Sequence, residues 1–211
     1  MEEIRDMDAR SPLVSNFIEA ARAVFSSAKM DDATMSALGK VFGSIPSGLP
    51  LSPAGRELFP VAAMAEPLLV ELEQQHERLG GLAKTLRPLL PHIGWRRRQG
   101  GQNASENFMK AHATGMIIGP NGAENQDDVW IGLTIMGPNV RYPDHSHPPE
   151  EVYLALSSGE FRQGDNAWFD PGIGGVFHNP AGVVHGMRSS KSPMLALWFL
   201  PVTTNPSEDW L

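Results

Sequence analysis

The sequence predicts a mainly β protein with an α-helical N-terminal part, in which the β portion forms a small barrel or jelly roll. Helical spacing of apolar residues dominates the first hundred positions, and short runs typical of strands fill the remainder. Charge divides the chain in the same way: residues 1–100 hold 12 basic and 12 acidic residues, whereas residues 101–211 hold 5 and 12. We therefore expect a helical region over residues 1–107 and a β-barrel over residues 108–211.

Composition narrows the class of protein. With 211 residues, of which 41% are hydrophobic, the chain is long enough for one domain with an ordinary core. Its net charge of −7 argues against nucleic acid as a partner, because phosphate binding needs a basic surface. The absence of cysteine excludes disulfides and thiolate metal sites. The first ten residues do not resemble a secretory signal and no apolar run could cross a membrane, so a soluble cytoplasmic protein is expected.

The first predicted helix begins at Ser11-Pro12, a favourable N-cap followed by proline at the first helical position. Its apolar stripe comprises Leu13, Val14, Phe17, Ile18, Ala21, Val24, Phe25 and Ala28. A second helix is predicted after Asp31 and Asp32, followed by a loop from Gly43 to Pro60. The stripes need an apolar partner, which we expect to be the barrel or the second subunit of a homodimer.

A longer helix is predicted to end at Gly80-Gly81. It carries Leu68, Leu69, Leu72, His76 and Leu79, and a short helical piece follows with Leu82, Leu86 and Leu89. Arg96-Arg97-Arg98 is interpreted as a solvated linker, because the chain as a whole is acidic.

Eight short strands are predicted after the linker, because runs rich in valine, isoleucine, leucine and tryptophan alternate with turn residues. They cover residues 112–118, 128–136, 152–157, 160–163, 167–169, 174–178, 183–188 and 194–200. Short strands at this spacing are typical of a barrel or jelly roll.

A candidate metal site follows from three residues near the middle of the β portion. His145 and His147 are two positions apart, so on a strand both imidazoles point to one face. Glu151 can return to the same cavity after the turn at Pro148-Pro149. Two nitrogens and a carboxylate oxygen suit iron, manganese, nickel or zinc, and His185 is the candidate fourth ligand.

These residues resemble the two motifs of the cupin superfamily, G-x5-H-x-H-x3–4-E-x6-G and G-x5-P-x-G-x2-H-x3-N. The central part of the first motif matches His145, His147 and Glu151, and the second motif matches Gly174, Pro180, Gly182 and His185. The chain departs from the pattern at three positions: Asn139 stands where the first glycine belongs, Gly159 comes one residue late, and Ser189 replaces the last asparagine.

The helical N-terminal part and the run Tyr-x2-His-x-His-x3-Glu-x-Tyr resemble the bacterial cupin-type dimethylsulfoniopropionate (DMSP) lyases of the DddQ type. This resemblance implies an enzyme that holds one divalent transition metal ion, iron, zinc or manganese, and cleaves DMSP to dimethyl sulfide and acrylate. It implies catalytic roles for the tyrosines of the run, Tyr142 and Tyr153, of which Tyr142 is expected to position the substrate or to serve as an alternative base. Tyr153 is expected to be the base, because it lies two residues after Glu151 on the same strand face.

Several alternatives remain open at the level of sequence. The chain could be another metal cupin, such as a dioxygenase or an isomerase, or a cupin that binds a small molecule without turnover. Glu150 could replace Glu151 as the ligand, while His112 and His178 are interpreted as structural. The sulfonium of DMSP could be held by an aromatic face, and the candidates are Trp130, Trp168, Trp198, Phe177 and Phe199.

Overall fold

The structure, a computed structural model, describes residues 11–45, 50–53 and 59–202. Five α-helices lie in this part of the chain: α1 (Pro12–Ser26), α2 (Asp32–Gly43), α3 (Ala65–Gln75), α4 (Glu77–Leu86) and α5 (Phe108–Ala111). Two 3₁₀ helices span Pro60–Met64 and Arg87–His92. The first two α-helices begin as predicted, since Ser11 and Asp31 accept hydrogen bonds from the backbone at their N-termini.

Eight strands lie in the described part of the chain. They are β1 (Gly94–Arg96), β2 (His112–Ile118), β3 (Val129–Met136), β4 (Glu151–Ala155), β5 (Glu160–Gln163), β6 (Val176–Asn179), β7 (His185–Arg188) and β8 (Met194–Pro201). Six form an antiparallel sheet in the order β1-β2-β3-β8-β4-β6, and β5 pairs with β7 in a second sheet. This confirms the predicted combination of helices and a small jelly roll.

Strands β2, β3, β4 and β8 are buried on both faces, which explains why they are mostly apolar, whereas β1 and β6 at the edges of the sheet are only half-buried. On β8, Leu195, Leu197 and Phe199 join the core shared with the helices. The intervening Ala196 and Trp198 join a second core inside the barrel. The alternation follows from the two-residue period of a strand.

The helices cover the outer face of the large sheet. Helix α2 packs against β8, β4 and β6, and α1 packs against α4. Phe25 of α1 meets the ring of Phe199 edge-on, with 5.0 Å between ring centroids. The described helices include none that is both long enough and apolar enough to cross a membrane.

The predicted helix end at Gly80-Gly81 is wrong, because both glycines lie inside α4. The chain turns at His76, whose backbone is extended and whose Nδ1 accepts a hydrogen bond from the Leu79 amide. An extended residue with a capping ring therefore separates α3 from α4. Gly80 allows α3 and α4 to pack closely, because a Cβ there would lie 3.1 Å from the Glu73 carbonyl oxygen.

The linker interpretation of Arg96-Arg97-Arg98 is wrong for Arg96. Residues 94–96 form the edge strand β1, which pairs with β2 and places Arg96 opposite Thr114. The predicted strand at 167–169 is reduced to one bridge between Phe161 and Phe169. Part of the predicted Gly43–Pro60 loop lies outside the described residues. The division at residue 107 stays a prediction.

Candidate metal centre

Three histidines converge inside the barrel from two different segments. His145 and His147 lie before β4, and His185 begins β7. Two backbone hydrogen bonds join His145 to His185, at 2.9 and 2.8 Å. One ring nitrogen from each of the three histidines lies within 4.8 Å of the others. This spacing is suited to a single metal ion.

Each ring is oriented by a backbone carbonyl. The Nδ1 atoms of His145, His147 and His185 lie 3.0, 2.8 and 3.0 Å from the carbonyl oxygens of residues 143, 149 and 183. A carbonyl can only accept, so Nδ1 carries the hydrogen and Nε2 of the neutral ring keeps its lone pair. Anchoring of this kind is general for histidines that bind metals.

Glu151 lies beside two of the three histidines. Its side chain is buried, and its Oε2 lies 3.4 Å from Nε2 of His147 and 3.2 Å from Nε2 of His185. Neither Nε2 atom has a well-aligned hydrogen-bond partner among the described residues. Two buried nitrogens directed at a buried carboxylate are the donor set that a divalent transition metal takes. The three histidines are thus spaced to hold a metal ion, and Glu151, the fourth predicted ligand, lies beside His147 and His185.

The charges in the group are strongly coupled. Burial alone would raise the pKa of Glu151, but its interactions with His147 and His185 lower that pKa far below the usual range. Burial, followed by the charges of His185 and Arg98, lowers the pKa of His145. Burial also lowers the pKa of His147, but Glu151 overcomes this and the pKa is raised. An ionised carboxylate and a neutral His145 are the forms that bind metal.

Turns at both motifs hold the ligands despite the departures from the cupin pattern. Asn139 adopts a positive φ of 56°, a conformation that asparagine tolerates better than most residues and that glycine would supply. Ser189 donates to the Gly137 carbonyl at 2.6 Å and accepts from the Val140 amide at 2.9 Å. The substituted residues therefore preserve the turn before His145.

Both tyrosines are buried in the barrel beside the ligands. Tyr153 stacks on Phe177 with 5.4 Å between ring centroids, and its ring centre lies 6.5 Å from that of His185. The ring of Tyr142 lies 5.1 Å from that of His145. Burial, followed by the negative charge of Glu151, raises the pKa of Tyr153 well above its ordinary value. Burial likewise raises the pKa of Tyr142, and the charge of Arg98 opposes this.

Glu150, His112 and His178, whose roles the sequence does not decide, contact residues other than the candidate ligands. Glu150 points away from the ligands and contacts His178 at 2.8 Å and Lys40 at 2.6 Å. Buried His112 stacks on Phe108 and accepts a hydrogen bond from the Arg98 amide at 3.1 Å. These contacts favour Glu151 over Glu150 as the ligand and agree with structural roles for His112 and His178.

The aromatic candidates lie in three different places. Trp130, Trp198 and Phe177 belong to the core inside the barrel. Phe199 lies on the opposite face of the sheet against the helices. Trp168 packs beneath the guanidinium groups of Arg141, Arg162 and Arg188. Trp130, Trp198 and Phe177 therefore share the core that also contains Tyr142 and Tyr153.

Sequence reasoning missed two residues close to the site. Arg98 belongs to the predicted linker, but it lies just after β1, and its charge acts to lower the pKa of both His145 and Tyr142. Asn179 is buried and its Nδ2 lies 3.1 Å from Glu151 Oε2. Its position directly before Pro180 of the second motif was the available signal.

The fold and this set of side chains define a cupin with a candidate metal centre. Within that class, the chain belongs to the dimethylsulfoniopropionate lyase family, whose model matches residues 39–196. The DMSP lyase DddQ of Ruegeria pomeroyi is 30% identical over 104 residues, 49% of this chain and 52% of the relative. The aligned part of the chain therefore spans about half the length of that relative.

Two solved structures of DMSP lyases show the same fold. The crystal structure of DMSP lyase DddQ from Ruegeria pomeroyi DSS-3 matches with a TM-score of 0.68 and 21% identity, over 93% of this chain and 95% of that one. A chain from the crystal structures of the DMSP lyases RdDddP and RnDddQII matches with a TM-score of 0.61 and 20% identity, over 90% and 93%. The expected family and cupin fold are confirmed.

Proposed function

We propose that the chain is a metal-dependent carbon–sulfur lyase that cleaves DMSP by β-elimination to dimethyl sulfide and acrylate. The observation that carries the proposal is the convergence of His145, His147, Glu151 and His185 beside two buried tyrosines. Membership of the DMSP lyase family supports the choice of substrate.

The four ligands would hold one divalent iron, zinc or manganese ion. Such an ion supplies Lewis acidity, which offsets the charge of the substrate carboxylate and favours ionisation of nearby groups. Burial and Glu151 both raise the pKa of Tyr153, and the positive charge of such an ion would oppose this shift.

Tyr153 is the proposed base. Its phenolate oxygen takes the proton from the carbon beside the substrate carboxylate. The electrons of that C–H bond form the new double bond, and the electrons of the C–S bond leave with sulfur. Neutral dimethyl sulfide and acrylate result, and the proton stays on Tyr153 until it is released. Tyr142, on the other side of His145, is proposed to position the substrate.

Aromatic rings beside Tyr153 suit the sulfonium end of the substrate. Trp198 of β8 and Phe177 of β6 are the register partners of Tyr153 on its two neighbouring strands. Their π-faces attract a cation without adding a charge that would shift the pKa of Tyr153. Trp198 is the larger of the two rings and is almost completely buried.

Headspace gas chromatography tests the proposal directly. Protein loaded with iron(II), zinc(II) or manganese(II) is incubated with DMSP, with and without oxygen, and dimethyl sulfide is measured. We expect anaerobic turnover in the wild type, together with loss of turnover and of bound metal in His147→Ala and His185→Ala. The variant His92→Ala, which removes a histidine bonded to the Ser52 carbonyl, is the matched control and should behave as wild type.

Other outcomes favour the alternative functions. Consumption of oxygen with no dimethyl sulfide would favour a dioxygenase. DMSP binding without products would favour a cupin that only binds its ligand. Full metal content in both histidine variants would contradict the ligand assignment.

A further inference from the structure

Glu151 is held by a side chain on the neighbouring strand. Strands β4 and β6 are antiparallel, with Glu151 directly opposite Asn179. The amide Nδ2 of Asn179 donates to Glu151 Oε2 at 3.1 Å, and both side chains are buried. The accepting oxygen is the one that faces His147 and His185, so this hydrogen bond limits rotation of the carboxylate within the candidate metal centre.

Gln163 determines which way the Asn179 amide points. Its Nε2 donates to Asn179 Oδ1 at 2.6 Å and to the His178 carbonyl oxygen at 2.7 Å. Because Oδ1 of Asn179 already accepts this hydrogen bond, the NH₂ group is the part that faces Glu151. Strands β5, β6 and β4 thus contribute one side chain each to a directed chain of hydrogen bonds.

The adjacent carboxylate is held on the opposite face of the strand. Glu150 contacts His178 at 2.8 Å and Lys40 of α2 at 2.6 Å. His178 and Asn179 are consecutive on β6, as Glu150 and Glu151 are consecutive at β4. Glu150 therefore contacts His178, and Glu151 contacts Asn179. This pairing keeps Glu150 outside the barrel and Glu151 inside.

We propose that Asn179, oriented by Gln163, is a positioning residue that fixes the carboxylate of Glu151 for metal binding. This inference rests on the proposed metal centre. Without the Asn179 donor, the carboxylate can rotate away from the histidines, and the metal loses a preorganised ligand. Loss of an outer hydrogen bond to a metal ligand typically costs about 10–100-fold in metal affinity.

Zinc affinity measured by competition with a chelator tests the proposal. Asn179→Leu removes the donor while keeping much of the volume, and Gln163→Met keeps the length of the side chain while removing both donors. We expect zinc binding to weaken about 10–100-fold in Asn179→Leu and less in Gln163→Met. Ser157→Ala is the control, because Ser157 is also buried but accepts its hydrogen bond from the Leu195 amide, away from the ligands.

The double variant distinguishes positioning from general damage. If Gln163 acts through Asn179, the double variant binds zinc about as weakly as Asn179→Leu alone, whereas independent effects would multiply. Cobalt(II) provides a second measurement, since its visible spectrum reports ligand geometry. We expect altered bands in both single variants and wild-type bands in Ser157→Ala.

The possible results separate this inference from the proposed function. Absence of zinc binding by the wild type would overturn the metal centre itself. Tight wild-type binding together with unchanged affinity and cobalt spectra in the variants would overturn the role of Asn179. If Asn179→Leu does not fold, Gln163→Met on the half-buried strand β5 decides the question.

Discussion

Tyr153 lies two residues after Glu151 on β4, and both side chains enter the barrel. The same carboxylate that would bind the metal also raises the pKa of the tyrosine, after burial, which is the larger cause. The negative charge of Glu151 therefore disfavours the phenolate form of Tyr153. A bound dication would offset this effect by partly neutralising the negative charge near the phenol. At the scale of single residues, the proposed mechanism depends on this balance.

Tyr153→Phe tests the base. The substitution keeps the ring and its stacking on Phe177 but removes the oxygen that titrates. We expect turnover of DMSP to fall by about 10²–10⁴-fold, the usual contribution of a general base, while metal content stays unchanged. The measurement is kcat by release of dimethyl sulfide, alongside elemental analysis.

Tyr142→Phe provides the comparison for the same experiment. A substrate-positioning residue should mainly affect KM, so kcat should fall far less than in Tyr153→Phe. Severe loss in Tyr142→Phe with near wild-type turnover in Tyr153→Phe would exchange the two roles. Near wild-type turnover in both would end the tyrosine-base mechanism.

His112 gives the folded protein a predictable response to acid. Burial lowers its pKa to about 4, whereas the unfolded chain titrates near 6.5. Because the unfolded state binds the proton more readily, this contribution to stability is complete above about pH 6.5 and is lost as the pH falls towards 4. The expected loss of stability at pH 5 is about 2 kcal/mol.

Urea unfolding at pH 7.5 and pH 5 measures this effect. His112→Gln removes the titration but can still donate and accept hydrogen bonds. We expect the variant to lose less stability than the wild type between the two pH values, whatever its stability at pH 7.5. Equal losses in both proteins would show that His112 is not the group responsible.

At the scale of elements, α3 and α4 are separated by His76 and packed closely at Gly80. The two glycines of α4 have different surroundings. A Cβ at Gly81 would meet nothing within 4 Å, whereas a Cβ at Gly80 would lie 3.1 Å from the Glu73 carbonyl oxygen. Gly80 and Gly81 therefore form a matched pair of positions for the same substitution.

Gly81→Ala should stabilise the protein by about 0.5–1 kcal/mol, because alanine loses less backbone entropy in a helix. Gly80→Ala should lose this gain or become destabilising, since α3 and α4 would have to separate. The free energy of unfolding of both variants, measured by urea titration, checks the expectation. A stabilising Gly80→Ala would contradict the close packing of these helices.

Elements and ligands differed in how well the sequence could predict them. The strand pattern and the spacing of His145, His147 and Glu151 depend on a local period of two, which a single sequence displays directly. The end of α3 depends on the backbone of His76 and on its ring as a cap, and two nearby glycines gave a misleading signal. The strand β1 depends on pairing with β2, a distant contact that three arginines do not reveal. Asn179 was missed for a similar reason, because its partner Glu151 lies on another strand.

At the scale of the whole molecule, the large sheet separates two apolar interiors. The barrel interior contains the tyrosines and most of the candidate sulfonium-binding rings. The other interior joins the outer face of the sheet to α1–α4. Lys40 of α2 contacts Glu150, the neighbour of Glu151, so the helical part also touches the segment that carries a candidate ligand. Helix α2 thus contacts the segment next to Glu151, while the apolar side chains of α1–α4 stay in the core outside the barrel.

A fragment of residues 101–211 tests this dependence. It would lack α1–α4 and β1, so the edge of β2 and the outer side chains of β3 and β8 would face water. An exposed apolar sheet face with an unpaired edge favours aggregation. We therefore expect the fragment to be mostly insoluble, and inactive where it remains in solution, when soluble yield and dimethyl sulfide release are compared with the full chain. A soluble fragment with full activity would show that the barrel folds without the helices and that their contact with the Glu150 segment is dispensable.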